Sequence, residues 1–463
     1  MKQRVVNVTD LVENQRLGRF FWNVMAWCLL VSLGDGYDYT AMAYAAPAVI
    51  KAMHVERGAM GSVFGAGLFG IMLGSMMFGY VGDRLGRKRA IVIGCLFFGV
   101  LTFATMFARS LDALLYLRFV AGLGIGGAVP NAIALISEYS PRRYRATMVT
   151  VMFVGFLLGT GGGGYVAAGL VPSFGWQSVF FVGGVIPVLT GLACIFALPE
   201  SIRLLALQQK NRKELAALAQ RMRPALAIDA DTQFVLAEER HPKPFTIPLL
   251  FSGDRRIATP LLWLLYIANS LALFFLSSWM PVLLESAGLP PGHAALAGSL
   301  FSIGGLIGSL AIMRFTDKYG AIAITLLPLL GIPIVAALGL PGTTELFLLS
   351  MVFLAGGCTS GAQSGIHSVA GMFYPVSYRA NGVGWALSIA KIGSIAGPVI
   401  GGMLLSQHLP LQQLFLAAAS PLVVVLLSCV MLGWVYLTRF AKEEAVALKG
   451  ATVTFAPPLL PKT

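Results

Sequence analysis

The sequence predicts an all-α membrane protein of twelve helices arranged as two related six-helix halves. Three observations carry this: an apolar composition, twelve long apolar runs split by one charged stretch, and an internal repeat at a nearly constant spacing. Of the 463 residues, 57% are hydrophobic and 11% charged, against about 25% charged in soluble domains. That much apolar surface has nowhere to go in water, so lipid is part of the solvent. Cys28, Cys95, Cys194, Cys358 and Cys429 are scattered through apolar runs without metal-ligand spacing. They read as small apolar filler, with no disulfide framework and no metal site.

A helix needs about 20 apolar residues to cross a bilayer. Residues 1–19 are polar and mixed in charge, and read as a cytoplasmic tail without a cleavable leader. The first bundle, 20–198, holds predicted spans at 20–50, 58–81, 90–107, 114–136, 146–170 and 178–198. Residues 199–256 form a polar cytoplasmic linker with helical periodicity around 211–222. The second bundle, 257–437, holds spans at 257–284, 294–313, 322–340, 346–373, 381–405 and 414–437. Residues 438–463 are a second cytoplasmic tail.

With the N-terminus inside, 28 of the 33 Lys and Arg fall on the inner side, which is the bias that orients membrane proteins. Lys51, Arg57 and Arg109 lie outside, and Arg118 and Lys391 lie within spans. The +13 net charge therefore reads as attraction to the anionic lipid of the bilayer, and no nucleic-acid partner is expected.

The repeat is legible residue by residue. Gly74-Ser75, Asp83 and Gly86 recur 234 positions later as Gly308-Ser309, Asp317 and Gly320. Tyr144-Arg145-Ala146 returns as Tyr378-Arg379-Ala380 at the same shift. Gly155, Gly159, Gly163 and Gly164 match Gly393, Gly397, Gly401 and Gly402 at a shift of 238. Small residues at this spacing let helices approach closely, and repeated halves are a hallmark of secondary transporters. The centre is not repeated. At 234, Asp35 meets Asn269 and Asp38 meets Ala272, while Lys391 moved back by 238 meets Phe153.

Gly82-Asp83-Arg84-Leu85-Gly86-Arg87-Lys88-Arg89 resembles the signature between helices 2 and 3 of the major facilitator superfamily. Arg118 with Gly122, Gly124 and Gly126 is similar to that family's arginine-glycine motif in helix 4. The glycine run over 393–402, with Pro398, is similar to its glycine-proline motif, though in helix 11. Asp35-Gly36-Tyr37-Asp38 resembles the helix 1 motif of the aromatic acid:proton symporter family. Pro130-Asn131-Ala132, Glu138-Tyr139, Pro199-Glu200-Ser201 and Gly361-Ala362-Gln363 fit the same family. The resemblance covers essentially the whole chain. It implies the major facilitator fold in a bacterial inner membrane, with both termini cytoplasmic and the monomer as the working unit. It further implies alternating-access import of a benzoate-, hydroxybenzoate- or chlorophenoxyacetate-like acid with protons, driven by the proton gradient without a cofactor. Another small organic anion, or export by the same fold, remains open. Lys391 stands where relatives commonly carry arginine, and offers a point charge rather than a bidentate fork.

Candidate residues follow from the cost of charge in hydrocarbon, at least about 2.5–3.5 kcal/mol at a span centre. Asp35 and Asp38, three residues apart, share one helix face and must look into the bundle. Close burial favours a proton on at least one of the two, so the pair is assigned to proton coupling. Arg118 either relays that proton or pins helix 4 to helix 1. Lys391 is the central cation of the second half and the natural counter-charge for a carboxylate; alternatively it pairs with Asp35 or Asp38, or alternates between the two roles. Gln363, Asn131 and His367 are candidate polar ligands, and Tyr37, Phe153, Phe274 and Trp385 candidate aromatic walls. Asp83, Arg87, Glu138 and Arg145, with Asp317 and Arg379 of the second half, form a candidate charge latch at the inner gate. A membrane enzyme would need clustered metal ligands or a nucleophile, which five scattered histidines do not supply. A receptor would need a signalling domain, for which the linker and tails leave no room.

Overall fold

The structure is a computed structural model that describes residues 5–15, 17–208, 212–224, 232–236, 246–370, 373–374, 378–436 and 438. Six long helices make the first half: span 1 Arg19–Met53, span 2 Met60–Leu85, span 3 Arg87–Thr105, span 4 Leu111–Tyr139, span 5 Arg145–Phe174 and span 6 Gln177–Ala197. The second half repeats them as span 7 Arg255–Ser286, span 8 Pro291–Tyr319, span 9 Leu326–Ala337, span 10 Glu345–Ala370, span 11 Arg379–Ser406 and span 12 Leu411–Val435. Ten of these helices are long and apolar enough by themselves to cross a bilayer. The other two depart for physical reasons. Span 1 carries Asp35, Asp38 and two glycines, Gly34 and Gly36, which lower its hydropathy at its centre. Span 9 is only 12 residues long, but the 3₁₀ turn Gly320–Thr325 precedes it. A 3₁₀ rise of about 2 Å per residue lets the two together cover roughly 30 Å.

The two halves pack by the same rule at the same places. A Cβ at Gly70 would collide with the carbonyl of Phe119, and one at Gly304 with that of Phe353. Gly155 and Gly393 likewise lie against the carbonyls of Leu29 and Ile267. Without side chains at these points the helix backbones touch, as small-residue packing in lipid requires. These pairs also fix the register. Spans 2 and 4 map onto 8 and 10 at 234, but spans 1 and 5 map onto 7 and 11 at 238. The structural counterpart of Asp35 is therefore Leu273, and that of Asp38 is Leu276, not the Asn269 and Ala272 that a single shift gives. Phe153 does correspond to Lys391.

The tail and linker are more than connections. Strand β1 (Val5–Asn7) pairs in parallel with β2 (Gln233–Val235), and a short helix, Val8–Glu13, follows β1. The amphipathic linker helix Arg212–Met222 buries Leu215, Leu218, Ala219 and Met222 in one cluster with Val6, Val8, Leu11 and Val12. That cluster continues into the first half through Ile136 and Tyr139. Arg142 N–H donates to Glu13 at 3.0 Å, so the termini-side cap is fastened to the first half. The last predicted tail lies outside the described residues, apart from Thr438. All five cysteines are free and buried.

Contacts between the halves cluster at the end away from the termini. There Arg57 Nη1 donates to Ser286 Oγ at 2.6 Å, Lys51 pairs with Glu285, and Phe64 meets Trp279 edge-on at 5.1 Å. Ser299 Oγ also donates to the Gly161 carbonyl at 2.6 Å. Towards the termini, spans 2 and 11 diverge, and a Cβ at Gly79 or Gly384 meets nothing within 4 Å. The space between the halves therefore opens on the side of the termini.

Two glycines on these helices should behave oppositely. Gly304→Ala overpacks spans 8 and 10 at a cost of about 1–3 kcal/mol, read as a lower thermal unfolding midpoint in detergent. Gly384→Ala should leave the midpoint unchanged or raise it, because alanine is the better helix former.

Candidate functional site

Span 1 sends its two carboxylates to different places. A three-residue step leaves them about 60° apart around the helix, enough to split them between two environments. Asp38 is fully buried and turns toward spans 3 and 4. Arg118 grips it bidentately, with Nη2 at 2.5 Å from Oδ2 and Nη1 at 3.1 Å from Oδ1. Thr102 Oγ1 donates to the same Oδ1 at 2.7 Å, and the guanidinium lies 5.8 Å from the Phe180 ring centroid. Of the two roles open to Arg118, the geometry displays the pinning one: it ties span 4 to span 1.

Asp35 instead faces a cavity of about 300 Å³ between the halves, and Lys391 of span 11 lines the same cavity from the other side. Neither has an ion-pair or hydrogen-bond partner among the described residues. The alternative of an ion pair between Lys391 and Asp38 does not occur here, since Arg118 already occupies Asp38. Lys391 and Asp35 line the one cavity without an ion-pair contact between them. The walls are aromatic. Tyr39 packs edge-on against Phe274 at 5.5 Å and tilted against Phe156 at 5.7 Å, with Phe301 beside them. Thr40, Thr160, Ser302, Ser309 and Ser360 add hydroxyl groups. The enclosure thus combines apolar ring-sized walls, one cation and one carboxyl group.

Of the predicted aromatic walls only Phe274 lines this cavity. Phe153 stands next to it, 6.3 Å from Phe156. Tyr37 is buried within the first half and donates to the Val179 carbonyl at 3.0 Å, because it projects toward span 6. Trp385 stacks on Trp263 at 6.4 Å, nearer the termini. Asn131 is also elsewhere: Nδ2 donates to the carbonyls of Phe78 at 3.1 Å and Gly127 at 2.8 Å. Its amide fills the gap left by Gly82 where spans 2 and 4 cross. Gln363 and His367 join a chain within the second half. Asn269 Nδ2 donates to Gln363 Oε1 at 2.7 Å, Gln363 Nε2 is 3.3 Å from His367 Nε2, and Tyr266 Oη is 2.8 Å from His367 Nδ1. These amide and imidazole groups bond within their own helix and to a neighbouring one, and none of them lines the cavity.

The proposed latch residues are wired within the first half. Arg87 Nη1 is 2.5 Å from Asp83 Oδ1 and its Nε is 3.5 Å from Glu138 Oε1, while Ser201 donates to Glu138. Arg145 lines a pocket beside Glu138 and Glu13. In the second half Arg379 Nε donates to the Tyr374 carbonyl at 3.2 Å, and the side chain of Asp317 lies outside the described residues. Among the described residues no member of this set bridges the halves, in keeping with an opening on that side. Tyr39, Phe156 and Phe301 were not singled out from sequence. The available signal was Tyr39, which follows Asp35 by one helical turn.

A model of the Major Facilitator Superfamily matches residues 28–290 and 262–461. The chain is 34% identical to a 4-hydroxybenzoate transporter of Pseudomonas putida, over 93% of this chain and 96% of that protein. It is 35% identical to a gallate transporter of Pseudomonas putida, over 90% of this chain and 92% of that protein. Among solved structures, a bacterial homolog of the human lysosomal transporter Spinster in an inward-facing, unoccupied conformation superposes with a TM-score of 0.68. It covers 90% of this chain and 98% of its own at 18% identity, a likeness of fold.

The buried pair makes a sharp prediction. Arg118→Ala strands the Asp38 charge and should cost about 3–5 kcal/mol, read as a collapse of the unfolding midpoint. Combining it with Asp38→Asn should restore most of that loss, because no unpaired charge is then left in the protein.

Proposed function

This chain belongs to the Major Facilitator Superfamily, in its aromatic acid:proton symporter family, and we propose that it imports a single-ring aromatic carboxylate together with protons. It is a multi-pass membrane transporter and not an enzyme. The observation that carries the proposal is that Asp35 and Lys391 face one another across one aromatic-walled cavity, each without a close partner among the described residues.

An ammonium group in a low-dielectric cavity attracts a carboxylate and repays part of its desolvation. With Asp35 ionised, the empty site is balanced, one carboxylate against one ammonium across the cavity. A carboxylate entering then would bring a second negative charge against one positive. Protonation of Asp35 removes that excess, so anion and proton enter together and the loaded site is again neutral. Asp38 does not face this cavity; it is engaged by Arg118 and Thr102 instead. Release is the reverse on the open side: loss of the proton restores the Asp35 charge and displaces the anion. Closing that side would bring the Asp83–Arg87–Glu138 cluster against the second half, while the Lys51–Glu285 contact parts at the other end. The halves would rock about the fixed site, the general scheme for repeated-half transporters. In this reading the proton gradient supplies the energy without a cofactor, the protein acts as a monomer in a bacterial inner membrane, and both termini face the cytoplasm.

Uptake of a labelled aromatic acid into vesicles, with and without an imposed pH gradient, tests this directly. Asp35→Asn should abolish gradient-driven accumulation yet retain exchange of labelled for unlabelled acid, because asparagine imitates a permanently neutral acid. Lys391→Ala should raise KM about 10–100-fold, the worth of one charge-assisted contact. Normal uptake by Lys391→Ala would overturn the assignment.

A further inference from the structure

A second cavity, of about 330 Å³, lies between the halves at the end away from the termini. Spans 1 and 5 wall it from one half and spans 7 and 8 from the other, and the paired Lys51 and Glu285 are part of its lining. Tyr44 of span 1 also lines it. One turn before Tyr44, Thr40 lines the central cavity, and so does Ser302, one turn beyond Gly298 on span 8. Tyr44 and Gly298 therefore stand at the level where one cavity gives way to the other.

At that level the buried ring of Tyr44 lies between two glycines. A Cβ at Gly163 of span 5 would meet its Cε2 edge at 2.8 Å, and a Cβ at Gly298 would collide with the opposite edge, at Cε1. Gly163 belongs to the same half as Tyr44, and Gly298 to the other. The hydroxyl is also held by the first half, donating to the Thr160 carbonyl of span 5 at 2.8 Å. The next carbonyl, that of Gly161, accepts from Ser299 of span 8 at 2.6 Å, which brings Gly298 up to the ring. The fold itself does not demand glycine there. Its repeat counterpart at 234 is Phe64, which meets Trp279 edge-on at 5.1 Å. It is the Tyr44 ring that requires a residue without a side chain at 298.

We propose that Tyr44 is the plug of the outer gate and that Gly298, in the other half, is the socket that receives it. The plug is fixed to the first half by Gly163 and the Thr160 carbonyl, so separation of the halves at this end withdraws the socket and leaves the ring in place. The two cavities then join, and the outer one becomes the entry chamber on the path to Asp35 and Lys391. This rests on the alternating-access reading and is independent of which acid is carried. It adds the residues that close the path, and it gives each half a different part of the seal.

The test is side-specific alkylation of Ser302→Cys, a position on the inner side of the plug, by a membrane-impermeant thiol reagent in sealed vesicles of both orientations. The chain without Ser302→Cys is the blank, since its five cysteines are buried. Reaction should be fast from the side of the termini and slow from the opposite side. Gly298→Ala should speed the opposite-side reaction about tenfold or more, because the added methyl overpacks the closed state alone. Tyr44→Ala should speed it too by removing the plug, whereas Tyr44→Phe keeps the ring and should stay close to wild type. In the Tyr44→Ala background, Gly298→Ala should add little, since no ring is left to strike. A substitution that merely unfolds the chain exposes the native cysteines and is recognised by labelling of its own blank; the other substitution then carries the test. Opposite-side rates unchanged by Gly298→Ala and Tyr44→Ala overturn the gate alone. Slow reaction of Ser302→Cys from the side of the termini overturns the alternating-access reading of this structure and the gate with it.

Discussion

A charge inside a hydrocarbon layer has to be paired or has to face a polar cavity, and the centre of this protein is organised by how that demand is met. Asp38 meets it through Arg118 and Thr102, in a closed arrangement sealed among spans 1, 3 and 4. That carboxylate is already paired on both oxygens. Asp35, one turn back, has no such partner and turns to the cavity. The fixed pair thus defines which carboxylate is available, and it anchors the helix that presents it.

The scaffold around this centre is nearly symmetric. Glycines at matching positions bring helix backbones into contact in both halves, and lipid gives such packing its advantage because apolar side chains gain little by leaving lipid for each other. Symmetry stops at the cavity. Leu273 stands where the first half has Asp35, and Phe153 where the second half has Lys391. The duplicated frame supplies two bodies able to move against each other, and the divergent centre supplies a site with opposite charges on the two bodies. A ligand that binds between those charges is therefore sensed by both halves at once.

At the termini side, the N-terminal segment and the linker fold onto the first half alone, through a two-stranded pairing and a shared apolar cluster. The latch residues Asp83, Arg87 and Glu138 lie on the same half and are already linked to one another and to Ser201. In the proposed reading the first half thus carries its candidate gate residues as one linked cluster, to which a closing motion would bring the second half.

Sequence alone determined the membrane class, the number and order of the helices, the repeat, and the ionisable residues at the centre. Hydropathy, glycine spacing and the cost of intramembrane charge are local properties, written residue by residue in Asp35, Asp38, Arg118 and Lys391. Which partner each residue takes is set by helix rotation and by register between spans distant in the chain, and that the tertiary structure alone decided. A rotation of 60° sends Asp38 to Arg118 and Asp35 to the cavity. A register of 238 rather than 234 puts Leu273 opposite Asp35. Asn131, Tyr37, Gln363 and His367 looked as fit for the site as Tyr39, Phe156 and Phe301, since residue type does not say which way a side chain points. Packing turned Asn131 and Tyr37 into neighbouring helices, left Gln363 and His367 in a side-chain chain outside the cavity, and set the latter three in the cavity wall between the halves.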